Sequence, residues 1–98
     1  MNTLKEAWSI CEDLNKEAYQ MASDIWNKAD ELSNSNEEGA YEQSEKLREQ
    51  ASAEQCGYFK FLFDGLEEET YRSIIDWAKK DKDFRKQFEG WTGTLLDT

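Results

Sequence analysis

The longest unbroken pattern in this chain is a ladder of small and apolar residues spaced mainly three and four apart: Leu4, Ala7, Cys11, Leu14, Ala18, Met21 and Ile25. A repeat of this kind places all of them on one side of a helix. When it is sustained, that side packs lengthwise on another helix. After Met21 the ladder shifts by one position, to Ala22, Ile25, Ala29 and Leu32. At its start, Thr3 and Glu6 form a capping-box pattern, in which a hydroxyl takes up a free amide and a carboxylate reaches back. The sequence therefore predicts a first helix over about residues 3–32, roughly 45 Å long.

Ser33, Asn34, Ser35 and Asn36 break the pattern, because short polar side chains compete with the helix for its backbone. Ser35 and Glu38 repeat the capping-box spacing, and a second ladder follows: Ala40, Ser44, Leu47, Ala51, Gln55, Tyr58 and Leu62. This predicts a second helix over about 36–64, ending at Gly65. A third helix, about 67–80, has Glu67, Glu68 and Glu69 at its positive end and Lys79 and Lys80 at its negative end. A fourth, about 82–89, is capped by Asp81 and presents Phe84 and Phe88. Residues 91–98 read as a tail anchored by Trp91.

Two long helices joined by a short turn pack antiparallel. The expected fold is all-α, a single domain over residues 1–98. It is a long antiparallel helical hairpin with a shorter third helix packed on its base and a short C-terminal fourth helix. Facing positions sum to about 69 in this register, which pairs Ala29 with Ala40 and Ala18 with Ala51. The base is aromatic and the tip is made of small residues. A third helix of about 21 Å covers only the base.

The chemistry of catalysis is missing from this pattern. The chain has no histidine, so Ser–His–Asp triads and the usual zinc and di-iron helix sites are absent. Cys11 and Cys56 fall in facing halves of the hairpin and read as small buried residues, not as a disulfide framework. Glu38, Glu42, Glu45 and Glu49 follow helical spacing, but the paired EExxE and ExxD helices of all-α nucleotide pyrophosphohydrolases do not occur. Asp81 and Asp83 lack the glycine and final glutamate of a calcium loop. We expect no catalytic residues, no metal site and no cofactor, and hence no enzyme.

Charge points instead to binding. The net charge is −10 over 98 residues, beyond the magnitude of about 2–8 that keeps a small domain soluble. Residues 1–66 hold 14 acidic and 6 basic side chains, against 8 and 6 in residues 67–98. Direct nucleic-acid binding and an acidic membrane surface are both disfavoured, and a basic partner is favoured. With no apolar run of membrane length and no signal-peptide core, the sequence reads as cytoplasmic.

Glu6, Asp13, Glu17, Asp24 and Glu31 recur along one side of the first helix; Glu38, Glu42, Glu45 and Glu49 do so on the second. Carboxylates about 6–10.5 Å apart along a helix imitate a row of phosphates. In size, acidity and helical character the chain resembles phage-encoded inhibitors of restriction, CRISPR and other nucleic-acid enzymes. That resemblance implies a nucleic-acid mimic that blocks a basic, nucleic-acid-handling protein in the host cytoplasm. The expected contacts are Asp13, Glu17, Asp24, Glu31, Glu38, Glu42, Glu45 and Glu49, with Trp26 and Tyr41 as anchors. The alternative is an assembly module that homodimerises through the hairpin. Its apolar contact is Tyr19, Trp26 and Tyr41, or Phe84, Phe88 and Trp91.

Overall fold

The computed structural model describes residues 2–96. The described residues form five helices and no strand: α1 Leu4–Met21, α2 Ser23–Ser33, α3 Ala40–Asp64, α4 Glu68–Lys80 and α5 Lys82–Thr92. The molecule is elongated, 52 × 22 × 18 Å.

Five helices replace the expected four because the first one is broken. Ala22 leaves helical geometry at φ −96°, ψ 6°, and its N–H is shared between the carbonyls of Ala18 and Tyr19. The break falls where the apolar ladder shifts by one residue. Ala18, Ala22 and Ala29 are buried, whereas Met21, expected on the same face, is 44% exposed. A small rotation at Ala22 keeps the alanines inward at the cost of one regular turn.

The second long helix also starts later than expected. The Ser35 hydroxyl accepts from the Glu37 amide in a local turn. The capping box with Glu38 does not form. Gly39 at φ +82°, a left-handed conformation open to glycine without steric cost, then leads into α3. At the other end, α5 runs through Gly90 to Thr92, so Trp91 belongs to a helix and not to a tail. Residues 97 and 98 of that expected tail lie outside the described residues. The other two caps form from the residues that suggest them. Thr3 Oγ1 accepts from the Glu6 amide at 3.2 Å, and Asp81 Oδ1 from the Phe84 amide at 2.9 Å.

The core is aromatic where α1, α3, α4 and α5 meet. Phe59 and Phe84 are fully buried, and Phe63, Phe88 and Trp91 nearly so. Phe59 stacks on Trp91 at 5.7 Å, Trp8 meets Phe84 edge-on at 5.2 Å, and Phe63 lies 4.5 Å from Tyr71. Cys11, Ile74, Ala7 and Ala78 fill the gaps. The Trp77 indole donates to the Asn2 carbonyl at 2.8 Å and fastens the start of the chain to α4. The α2–α3 contact is different in kind. Its buried residues are Ala22, Ala29, Ala40, Ser44 and Ala51, so the two helices approach closely over very small side chains.

Candidate partner-binding surfaces

All eight carboxylates expected to contact a partner are exposed: Asp13, Glu17, Asp24, Glu31, Glu38, Glu42, Glu45 and Glu49. Of these eight, only Glu45 has an ion-pair partner among the described residues, Arg48 at 3.9 Å, itself a surface contact. The other seven make no side-chain hydrogen bond or ion pair. Glu38 sits in the turn before α3, and the rest sit on helices.

The two rows do not share one face. At about 100° per residue, Asp13 and Glu17 lie roughly 100–140° around α1 from buried Ala7, Cys11 and Ala18. Asp24 and Glu31 stand almost opposite Ala22 and Ala29 on α2, and Glu42, Glu45 and Glu49 lie roughly 120–180° from Ala40, Ser44 and Ala51 on α3. The helices pack through their buried rows, so the carboxylates occupy the outward backs and point away from each other. Counting register along the axis brings Asp24 level with Glu45, but the angle about the axis separates them.

Trp26 is tied into the chain. Its indole N–H donates to Gln55 Oε1 at 3.0 Å, and the Gln55 amide donates onward to Asn15 Oδ1 at 3.0 Å. Tyr19 stacks on the Trp26 ring at 6.1 Å. This relay links α1, α2 and α3 across the break at Ala22. Tyr41, by contrast, is 69% exposed and free of ring contacts. The other apolar surface of the assembly reading is corrected outright: Phe84, Phe88 and Trp91 are core residues, because their helix turns that face onto α3 and α1.

An apolar feature that the sequence reading passed over lies on α3. Phe59 and Phe63 point inward, so Phe61 between them must point out, and it is 72% exposed. With Met21, Tyr58 and Gly57 it lines a shallow groove whose rim carries Glu54. The signal was the near-opposition of Phe61 to two inward phenylalanines.

The cysteines are both free. Cys11 is buried in the aromatic core, and loss of water pushes its thiol up to about 12. Cys56 lies instead against α5, with its Sγ 3.8 Å from the Gly90 carbonyl. Among the described residues no group of three or more His, Cys, Asp or Glu side chains is placed to hold a metal ion. No helix there is long and apolar enough to cross a membrane. The chain matches no family model, no curated protein and no solved structure.

Proposed function

We propose that this protein binds a basic, nucleic-acid-handling protein through its long acidic helices and blocks it by occupying the place of nucleic acid. One observation carries the reading: seven of the eight expected contact carboxylates have no side-chain partner among the described residues. Unpaired like charges spaced three or four residues apart each cost a helix about 0.2–0.5 kcal/mol. A cationic surface removes that repulsion on contact, and the attraction steers encounter and fixes register.

Because the rows face outward on both sides of the α2–α3 arm, the fitting partner surface is a cleft or channel that embraces the arm. A flat basic patch meets only one row. The arm belongs to a molecule of 22 × 18 Å cross-section, and it carries charge on opposite sides as a nucleic-acid strand pair does. Tyr41, at the start of α3 beside Glu42, is the exposed aromatic placed to anchor that contact. Trp26 acts from within, holding α2 on α3. In this reading the chain performs no chemistry and needs no metal or cofactor.

The test is capture from host lysate on the immobilised full chain, followed by competition. The captured protein is expected to leave with added duplex DNA or RNA and with rising salt, and to be missed by a Glu42→Lys, Glu45→Lys, Glu49→Lys variant. Capture that survives about 1 M salt and the charge reversal sinks the electrostatic reading.

The exposed groove of Met21, Gly57 and Phe61 favours a second reading, an assembly module whose contact is apolar and which pairs with a second copy. Salt then strengthens association, and Phe61→Ser returns the protein to monomer in sedimentation.

A further inference from the structure

The groove of Met21, Gly57, Tyr58 and Phe61 is open to solvent, with a volume of about 590 Å³ and no residue of α4 or α5 among its walls. Those two helices pack on the other flank of α3, where Tyr71 and Phe88 meet Phe63. Nothing in the chain has to move before the groove can be filled. Gly57 is its unusual member. It stands in the interior of α3, where glycine weakens a helix relative to alanine. A Cβ at this position would meet nothing within 4 Å, so no neighbour among the described residues calls for glycine. What the missing side chain provides is a floor low enough for a second backbone to approach α3 closely.

The rim of the groove has one sign of charge. One turn before or after Met21, Tyr58 and Phe61, the charged positions are Glu17, Asp24, Glu54 and Asp64, all acidic. None of these four is in an ion pair among the described residues. Lys60, next to Phe61 in sequence, is turned the other way and donates to Thr94 Oγ1 at 2.6 Å. An apolar floor with Met21 and Phe61 exposed is thus framed by carboxylates alone.

We propose that this groove docks an amphipathic, cationic helix of a partner protein, which crosses α3 at Gly57. The helix lays leucine-sized side chains, spaced three and four residues apart, between Met21, Tyr58 and Phe61. Its flanking lysines or arginines meet the acidic rim, which sets the orientation and speeds encounter. The apolar floor is no part of the carboxylate rows, although Glu17 and Asp24 border both, and the site does not depend on nucleic-acid mimicry. A second copy is the competing occupant, and charge disfavours it. Self-pairing sets one acidic rim against another, between chains of net charge −10.

The experiment reads the fluorescence anisotropy of a labelled peptide against the full chain. The peptide is two repeats of Leu-Lys-Lys-Leu-Leu-Lys-Lys, whose leucines share one helical face. The control has the same composition, with its leucines spread around the helix. The first is expected to bind at least about ten-fold more tightly than the control and to become helical as it binds. Phe61→Ser and Gly57→Leu should each weaken binding at least about ten-fold. Phe61 is exposed, and leucine favours helix over glycine, so neither change threatens the fold. Glu54→Lys should weaken binding about five-fold more than Glu12→Lys, which makes the same change of charge on the side of α1 opposite Met21. Equal affinity for peptide and control, or undiminished binding to either groove variant, overturns the proposal. So does sedimentation of the chain alone as a dimer that both groove variants return to monomer, because the groove then belongs to a second copy.

Discussion

Phe59 and Ala51 lie about two turns apart on α3, and both are fully buried. Burying a phenylalanine side chain stabilises by about 1.5–3 kcal/mol, whereas an alanine methyl contributes about 0.8 kcal/mol. The same contrast separates the two regions of the molecule. Where α1, α3, α4 and α5 meet, the interior is a stack of rings; where α2 packs on α3, it is alanine and one serine. The aromatic region supplies stability, and the alanine region supplies closeness. Small side chains let two backbones approach while leaving their outward faces to charge. The arm is therefore expected to open locally at a lower free energy than the rest.

That contrast can be broken most directly at Phe84. Phe84→Ala should cost about 3–5 kcal/mol, a large part of the stability of a small domain, and should lower the urea midpoint for both regions together. Loss confined to α4 and α5 would show that the two regions do not fold as one unit.

Cys11 tests the aromatic region through pH. Its thiol titrates at about 12 in the folded chain against an ordinary 9.0. The stabilisation is thus complete below about pH 9 and is lost as pH rises towards about 12, because only the unfolded chain ionises there. The whole effect is a few kcal/mol. Urea titrations at about pH 8 and about pH 11 should show a larger drop for the native chain than for Cys11→Ala. Equal drops would mean that water reaches the thiol.

In the arm, Ala29→Leu forces the helices apart and should cost about 1–3 kcal/mol. The loss should appear as faster amide exchange in α2, with α4 and α5 unchanged. The smallest effect sharpens the electrostatic side. Glu49→Gln, in the middle of α3, relieves repulsion with Glu45 four residues earlier and should stabilise α3 by about 0.2–0.5 kcal/mol at low salt, a gain that disappears at high salt.

Helical character could be read directly, because a chain without proline or valine and with three–four ladders has few other ways to bury its apolar residues. The break at Ala22 was written as a one-residue shift, but a shift alone does not distinguish a kink from a gently rotating stripe. Gly39 was hidden behind Ser35 and Glu38, whose capping spacing is equally good in a turn. The expected end of the fourth helix at about residue 89 falls just before Gly90, a residue that often ends helices. A methyl there would meet open space, so this glycine reaches solvent, and the burial of Trp91 and Thr92 carries the helix past it. Exposure of the carboxylates followed from their spacing. Their direction about the helix axis did not, because it depends on which flank packs on the neighbour.

Three of the four tryptophans, Trp8, Trp77 and Trp91, belong to the aromatic region or its edge, and Trp26 alone stands in the arm. Its indole is held by Gln55, which is held in turn by Asn15. The protein thus carries its own optical gauge of the arm. In a chain whose other three tryptophans are replaced by phenylalanine, emission from Trp26 reports whether α2 is seated on α3. A shift towards the red on heating or on adding a partner dates the moment the arm lets go, independently of anything that happens among the rings.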